Sequence, residues 1–340
     1  MSIHNLPRTY QNTWPITTSE GKLRLKIPAS SISERGLKVT PVLVNGHSPF
    51  GAEIEGIDWS RPIPEGLVNE LVQLQDKYAV LIFRNTGLDN ARHIAFAQQL
   101  GKDLEVNPFF FGRENDRIGE PFLWDVGNIN RDGTTVQPGQ RRWEHSKGNA
   151  LWHTDSSFHK PRAKYSLLLS HGNPAKGGSW THFADTRGAY AALPQDKKDE
   201  LESLIVEHDL WHSRKLASPK AFKEPLCHER NLVPPVCHKL VQTAPSGNKT
   251  LYLAAHAKRI IGKSFEDSQE LIWELISQCT QSQFVFSMEW LQGGDMVWWD
   301  NRQSMHRANP YTESMTARDV RRATVNDDGP FALGVPTPSM

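Results

Sequence analysis

The sequence predicts an α+β fold that is mainly β, with a double-stranded β-helix (jelly-roll) core and flanking helices. Two observations support this prediction: many short strand-like segments are separated by Gly- and Pro-rich turns, and only a few amphipathic helices accompany them. No internal repeat is present. We expect an N-terminal extension (residues 1–38), a single jelly-roll domain (39–330) and a C-terminal tail (331–340).

The first part of the chain predicts elements that cover one face of a sheet. Strands are predicted at residues 38–44, 51–58 and 79–83, and helices at residues 65–78 and 88–100. Leu67, Leu71 and Leu74 recur at the helical period. The last strand is a continuous apolar run, which is typical of a buried central strand. Gly101 is expected to end the second helix.

A long segment without periodicity, residues 107–149, precedes the first candidate metal ligand and is rich in Gly, Asn, Arg and Pro. A structureless segment of this length is often functional, so we predict an active-site lid. A disordered insertion is the alternative. Residues 107–149 and a second predicted loop, 210–233, are where we expect the substrate pocket.

The rest of the chain predicts further short strands and three helices. Strands are expected at residues 164–170, 180–184, 236–243, 249–254, 284–290, 295–299 and 322–326, and helices at 186–193, 195–204 and 265–280. A turn is expected at residues 172–178. Ala244-Pro245-Ser246-Gly247-Asn248 separates two β-rich runs, which indicates a hairpin.

Charge and cysteine usage exclude several functions. Lys and Arg number 39 against 38 Asp and Glu, without a block of like charge, so nucleic acid and anionic membranes are not expected partners. Neither a signal peptide nor an apolar run long enough to span a membrane is found. The three cysteines do not indicate a disulfide framework. These features predict a cytoplasmic protein and leave a homo-oligomer open.

The residues with the clearest chemical meaning are His153, Asp155 and His306. In an extended segment, side chains two residues apart lie on the same face, so His153 and Asp155 can approach one metal ion. A second imidazole, from His306, would complete a two-histidine, one-carboxylate site with open positions, as in Fe(II) oxygenases. Arg318 and Arg322 lie beyond it, and a guanidinium is the natural partner of a dicarboxylate cosubstrate.

The sequence resembles the Fe(II)/2-oxoglutarate-dependent oxygenases of the taurine dioxygenase and 2,4-dichlorophenoxyacetate dioxygenase (TauD/TfdA) type. The resemblance covers about residues 51–330 and depends on the order and spacing of several short motifs. They are GIDWSRP at 56–62, VLIFR at 80–84, IAFA at 94–97, WHTD at 152–155, Gly177-Gly178 leading to THFAD at 181–185, KTLY at 249–252, WDNR at 299–302, His306 and RAT at 322–324.

The resemblance implies an oxygenase that uses Fe(II), 2-oxoglutarate and O2. It implies that His153, Asp155 and His306 are the iron ligands. It further implies that Thr181 and Arg318 hold the distal carboxylate of 2-oxoglutarate. The expected reaction oxidises a C–H bond of a small substrate, by hydroxylation, desaturation or cyclisation, and releases succinate and CO2.

For the substrate, the resemblance implies roles for Arg322, which would bind an acid group, and for Asn149, just before the metal motif. Asn107 stands where the taurine enzyme has a histidine, which argues against a sulfonate and leaves an organic acid or amino acid as the expected substrate. The interval from His306 to Arg318 is one residue longer than in the family pattern. Arg321 and Arg322 therefore remain alternatives to Arg318 for 2-oxoglutarate.

Two other functions are compatible with parts of the sequence. One is a non-catalytic jelly-roll module that binds a small ligand or a protein and only keeps the family outline. A binding module has no need of the complete set of metal and cosubstrate residues. The other is a zinc hydrolase, for which no His-Glu-x-x-His motif is present.

Overall fold

The structure is a computed structural model that describes residues 30–44, 49–108, 117–172, 180–222, 227–309 and 316–336. Its strands are β1 (Ser31–Ile32), β2 (Lys38–Leu43), β3 (Pro49–Glu55), β4 (Val80–Phe83), β5 (Leu123–Asp125), β6 (Ala163–Gly172), β7 (Trp180–Asp185), β8 (Ile205–His208), β9 (Val236–Lys239), β10 (Val241–Thr243), β11 (Lys249–Leu251), β12 (Ala257–Ile260), β13 (Val285–Glu289), β14 (Met296–Asp300), β15 (Ser304–Ala308) and β16 (Asp319–Asn326).

Helices lie mostly between the strands. They are α1 (Glu65–Tyr78), α2 (Asn90–Gln98), α3 (Arg141–Ser146), α4 (Thr186–Ala191), α5 (Gln195–Leu201), α6 (Leu210–Ala217), α7 (Cys227–Leu232) and α8 (Phe265–Cys279), with 3-10 turns at Lys147–Ala150 and Ser282–Phe284. Within the described ranges, none of these helices combines the length and hydrophobicity needed to span a bilayer.

The largest sheet has eight strands in the order β1-β2-β3-β4-β14-β6-β16-β5. Its pairs are antiparallel except β3 with β4, which is parallel. All four residues of β4 are buried, as the apolar run predicts. Because β14, β6 and β16 are neighbours, residues far apart in sequence meet at the middle of this sheet.

One face of the large sheet is covered by α1 and α2. Trp298 of β14 lies at the centre of this apolar layer, with its ring 6.0 Å from that of Phe96 in α2. Trp59 in turn contacts Phe96 edge to face at 5.1 Å. The predicted helix at residues 65–78 is confirmed with both bounds, because its apolar residues recur at the helical period.

The opposite face of the large sheet packs against a three-stranded sheet of order β13-β7-β15. Val297 and Trp299 of β14 share one apolar cluster with Phe183 of β7 and Phe286 of β13. The rings of Phe183 and Phe286 stack at 5.4 Å. The two sheets therefore face each other across a common core, and His306 of β15 stands at the margin of that core.

Smaller elements cover the outer side of the three-stranded sheet. They are the sheet of order β12-β8-β9, the β10–β11 pair and helix α8, which share one apolar cluster.

The predicted hairpin is confirmed, since β10 and β11 pair antiparallel and the Ala244 N–H donates to Asn248 O at 2.8 Å. The strand predicted at residues 236–243 is interrupted at Leu240, whose N–H donates to Leu204 instead.

Some sequence expectations are wrong. Residues 210–233 are not a plain loop, because α6 and α7 occupy much of the segment. Residues 107–149 contain β5, α3 and a 3-10 turn, so the segment is not irregular throughout. Most of the N-terminal extension (residues 1–29) and the Gly177-Gly178 turn lie outside the described residues.

Gly101 was expected to end the second helix, but the helix ends before it, and Gly101 does not have the left-handed conformation of many helix-ending glycines. Helix α2 ends at Gln98, and Gly101 is absent from the residues with positive φ. Its requirement is space, because a Cβ built on Gly101 would lie 2.3 Å from Val325 Cγ1 on β16. The glycine therefore allows the chain after α2 to lie directly against the large sheet.

We expect Gly101→Ala to lower the free energy of unfolding by about 1–3 kcal/mol, because the added methyl forces Val325 or the backbone to move. Urea denaturation measures the change. Gly172→Ala is the matched control, since its Cβ meets nothing within 4 Å. An equal loss of stability in both variants would contradict the close approach at Gly101.

Candidate active site

Two histidines and one aspartate form a compact buried cluster. The ligand atoms of His153, Asp155 and His306 all lie within 4.8 Å of one another. Nε2 of His153 is 3.8 Å from Oδ1 of Asp155, and Nε2 of His306 is 3.7 Å from Oδ2. The structure thus brings together the three residues that the sequence predicts as metal ligands.

Backbone hydrogen bonds hold the two histidines side by side. The His153 N–H donates to His306 O at 2.9 Å, and the His306 N–H donates to His153 O at 2.8 Å. The hydroxyl of Thr154, between the ligands, donates to Leu253 O at 2.7 Å. The two hydrogen bonds between His153 and His306 attach the His153–Asp155 segment to β15. The spacing of the ligands therefore depends on the position of the three-stranded sheet.

The carboxylate of Asp155 is fixed by groups from the large sheet. Ser166 of β6 donates its hydroxyl to Asp155 Oδ2 at 2.7 Å, and the Nη1 group of Arg322 on β16 donates to Oδ1. The Asn301 side chain accepts the Asp155 N–H at 3.0 Å and donates to Ser166 Oγ at 2.9 Å. Trp299 Nε1 donates to the same Asn301 oxygen at 3.0 Å, which fixes the amide.

The protonation states in the cluster suit a metal ion. Burial lowers the pKa of His153 and of His306 below the ordinary histidine value, so both imidazoles are neutral at neutral pH. Burial alone would raise the pKa of Asp155. The positive charge of Arg322, together with the hydrogen bond from Ser166, acts against burial, and this pKa lies below its usual value, so the carboxylate stays ionised.

The hydrogen bonding of His153 also fits a metal ligand. Its Nδ1 lies 2.7 Å from the carbonyl oxygen of Leu151, so Nδ1 carries the proton and Nε2 is left with a lone pair. Nε2 is the atom that faces the carboxylate of Asp155. Two neutral imidazoles and one carboxylate are the donor set for a mid-series divalent metal with open positions. The residues present therefore fit such an ion.

The two residues proposed for 2-oxoglutarate are both buried. Thr181 lies on β7, two residues before Phe183, which pairs with His306 in the register of β15. Its hydroxyl oxygen accepts a hydrogen bond from Trp290 Nε1 at 3.0 Å. Arg318 precedes β16, and its backbone N–H donates to Asn128 Oδ1 at 2.6 Å. Gly127 permits this approach, because a Cβ there would lie 2.3 Å from Arg318 O.

The neighbouring arginines of β16 face opposite sides of the sheet. Arg322 lies on the side of Asp155, and its Nε donates to Thr324 Oγ1 at 3.2 Å. Arg321 faces α2, where it donates to Asn90 at 2.7 Å and pairs with Asp319 at 2.9 Å. Arg321 therefore does not share the face of β16 that carries the candidate site.

The two asparagines implied for the substrate lie in different segments, Asn149 in the turn before His153 and Asn107 after the segment that pairs with β16. Asn149 is part of the 3-10 turn Lys147–Ala150, directly before the metal motif, and is partly exposed. Asn107 is buried, and its N–H donates to Pro121 O at 3.0 Å. The preceding segment runs beside β16, because Glu105 N–H donates to Thr324 O at 2.8 Å. Asn107 is thus two residues away from a residue that is hydrogen-bonded to the strand that carries Arg322.

Three functional candidates were not identified from the sequence. Ser166 and Asn301 orient Asp155, and Arg214 of α6 is buried within electrostatic range of it. The WDNR motif includes Asn301 but gives no sign of its contact with Asp155. A serine in a strand and an arginine in a short helix carry no local signal, since their partners are distant in sequence.

The cluster defines a protein class: a metal centre of two histidines and one carboxylate, the arrangement of non-haem Fe(II) oxygenases. Comparison with protein families matches residues 39–324 to "Taurine catabolism dioxygenase TauD, TfdA family". The chain therefore belongs to the TauD/TfdA dioxygenase family. The membership agrees with the resemblance carried by the sequence motifs.

Individual relatives give the same result. The chain is 38% identical over 283 residues to the alpha-ketoglutarate-dependent 2,4-dichlorophenoxyacetate dioxygenase of Cupriavidus pinatubonensis, covering 83% of this chain and 96% of that protein. It is 30% identical over 268 residues to the (S)-phenoxypropionate/alpha-ketoglutarate-dioxygenase of Sphingobium herbicidovorans, covering 77% and 87%. A crystal structure of AAD-2 with Mn(II) and N-oxalylglycine matches with a TM-score of 0.77 and 36% identity, covering 84% and 96%.

We expect Ser166→Ala to weaken metal binding by about 10–100-fold, because Asp155 loses the hydroxyl that fixes one of its oxygens. Calorimetric titration of the protein with Mn(II) measures the affinity. Ser268→Ala is the control, since it removes a buried hydroxyl in α8 that bonds only to backbone groups. Unchanged Mn(II) affinity in Ser166→Ala would show that Asp155 does not depend on this hydrogen bond.

Proposed function

We propose that the protein is an Fe(II)- and 2-oxoglutarate-dependent oxygenase that oxidises a C–H bond of a small carboxylate-bearing molecule. The observation that carries the proposal is the buried His153–Asp155–His306 cluster, whose ligand atoms lie within 4.8 Å of one another. Family membership adds the cosubstrate, because the curated relatives are named as alpha-ketoglutarate-dependent dioxygenases.

The cluster would hold Fe(II) through Nε2 of each histidine and the carboxylate of Asp155. When bound with 2-oxoglutarate and O2, Fe(II) would supply the oxidation. The cosubstrate loses CO2 and takes one oxygen atom of O2 to give succinate, and the other oxygen atom of O2 is available to hydroxylate the substrate. The protein keeps the three ligands buried, which excludes water from the reacting groups. Hydroxylation is the default outcome, with desaturation or cyclisation as variants.

We propose that Thr181 and Arg318 hold the distal carboxylate of 2-oxoglutarate. The Thr181 oxygen already accepts from Trp290, so its hydroxyl proton is left to donate to a carboxylate. The guanidinium of Arg318 would add a charge-assisted pair. Asn128 supports this arrangement because it bonds to both the N–H and the C=O of Arg318 and so fixes where the side chain begins.

We propose that Arg322 has two tasks beside the metal. It neutralises and orients Asp155 through Nη1, and its remaining N–H groups contribute positive charge on the substrate side. Its guanidinium also lies over the ring of Trp124 at 5.3 Å, which fixes its plane. Asn149 and Asn107 would add polar contacts to the substrate from the two flanking segments.

The alternatives have less support. A non-catalytic binding module would not need two neutral imidazoles and an ionised carboxylate directed at one point, yet the chain retains them. A zinc hydrolase would need a general base in addition to the three ligands, and Asp155 cannot take that role because it is itself a ligand and is engaged by Ser166 and Arg322.

We also propose that the two facing sheets belong to a double-stranded β-helix over residues 39–330, flanked by an N-terminal extension and a short tail. Support comes from the common core that the two sheets share.

A cytoplasmic location is proposed because Cys227, Cys237 and Cys279 are free thiols, as expected in a reducing compartment. Fe(II), 2-oxoglutarate and O2 are the proposed cofactors and cosubstrates.

We expect His153→Ala to abolish Fe(II)-dependent release of succinate from 2-oxoglutarate, because the metal loses one of its three protein ligands. Succinate is measured by chromatography with and without added Fe(II), after chelation of bound metal. His171→Ala is the control, since His171 lies at the end of β6 outside the cluster. Undiminished, metal-dependent turnover in His153→Ala would refute the proposed metal site.

We expect Arg318→Gln to raise the KM for 2-oxoglutarate by about 10–100-fold, the loss typical of one charge-assisted hydrogen bond. Arg321→Gln should leave this KM unchanged, because Arg321 faces α2 and pairs with Asp319. Steady-state succinate release at varied 2-oxoglutarate measures both. The opposite ranking of the two variants would assign the cosubstrate to Arg321.

A further inference from the structure

We propose that Arg214 of α6 is a substrate-binding residue that receives the acid group of the substrate beside the His153–Asp155–His306 cluster. The inference rests on the proposed oxygenase function and deepens it by assigning a residue to the acid group of the carboxylate-bearing substrate. The carboxylate would bind to Arg214, with the reacting C–H directed at the metal.

The position of Arg214 is fixed by the turn that leads into the metal motif. Its guanidinium lies against Gly148 of the 3-10 turn Lys147–Ala150, where an added Cβ would be 1.6 Å from Nη1. The Leu151 N–H donates to Gly148 O at 3.1 Å, so this turn passes directly into the segment that carries His153. Only glycine at this position leaves room for the guanidinium.

Arg214 is buried without the partners that a buried guanidinium normally has. It is 9% exposed, and its buried Nε has no hydrogen-bond partner in the described part of the chain. Arg162, by contrast, donates to Asp327 at 2.8 Å and to Gln242 at 2.7 Å. Arg187 pairs with Asp185 at 2.9 Å. Burying an unpaired charge is unfavourable, so the site is complete only with an anion.

Arg214, which lies against Gly148 of the turn before His153, also interacts electrostatically with the charged groups at Asp155. Burial, and then the positive charge of Arg322, lower the pKa of Arg214 to about 10, while the charge of Asp155 raises it. Asp155 is therefore within electrostatic range of both arginines, but only Arg322 donates to its carboxylate. The Nε of Arg214 has no hydrogen-bond partner among the described residues.

The chemistry of the pair selects a carboxylate. A guanidinium presents parallel N–H donors that match the two oxygens of a carboxylate, whereas a neutral amide offers one acceptor oxygen. Helix α6 is a rigid base for this contact, because Leu210 and Trp211 pack into an apolar cluster with Phe158 and Phe222. A preorganised donor loses little entropy when the acid binds.

Calorimetry tests the proposal without turnover. Protein loaded with Mn(II) and N-oxalylglycine is titrated with 2,4-dichlorophenoxyacetate and with its primary amide as a neutral analogue. We expect wild-type protein to prefer the acid, and Arg214→Gln to lose about tenfold or more in acid affinity with little change for the amide. Lys215→Gln, an exposed cation on the same helix, is the matched control and should retain the preference.

Two further variants keep the test decisive if Arg214→Gln does not fold, which circular dichroism would show. Gly148→Ala leaves the charge in place but displaces the guanidinium, and should weaken the acid as Arg214→Gln does. Arg214→Lys retains charge without the parallel donors, and should fall between wild type and Arg214→Gln.

The result that overturns the proposal is equal affinity for acid and amide in wild-type protein, or an unchanged preference in Arg214→Gln and Gly148→Ala. A loss of N-oxalylglycine affinity larger than the loss of acid affinity would also overturn it, by assigning Arg214 to the cosubstrate. Failure of the oxygenase function appears separately, as absence of Fe(II)-dependent succinate release in wild-type protein.

Discussion

The buried carboxylate of Asp155 is the constraint on which the arrangement of the site depends. An ionised group at 3% exposure must be paired and hydrogen-bonded, and its partners come from distant parts of the chain. Ser166 lies on β6, Arg322 on β16, and Asn301 directly after β14. These three strands are neighbours in the large sheet. The strand order therefore determines which groups reach the carboxylate.

The histidine ligands depend on the second sheet and on the core between the sheets. His306 belongs to β15, and its ring lies 4.5 Å from that of Trp299 and 6.2 Å from that of Phe183. Trp299 comes from the large sheet and Phe183 from the small one. Because interiors are closely packed, a volume change between the sheets would move His306 relative to Asp155. Packing and metal geometry are therefore coupled.

Much of the site could be predicted from the sequence because its ligands fall in short motifs at characteristic spacing. Helix α1 was predictable because its apolar residues recur regularly over fourteen residues. Strand β15 was not, since Ser304–Ala308 lacks alternation and is defined by its pairing with β7. Helix α6 is short and mixes apolar with basic residues, so a loop was expected there. For segments such as β15 and α6, contacts with distant parts of the chain decide whether a strand or a helix forms.

The role proposed for Arg214 could not be predicted from the sequence, because an unpaired group is a property of the folded chain. Arg322 was the one residue that indicated an acid, yet its Nη1 is engaged by Asp155. Arg214 gives no signal in sequence, but in the structure its Nε is buried without a partner among the described residues. Alternation along β16 directs Arg321 away from the site. Among the described residues, Arg214 is therefore a buried cation near the cluster with unused hydrogen-bonding capacity, which is why we propose that an acid group binds there.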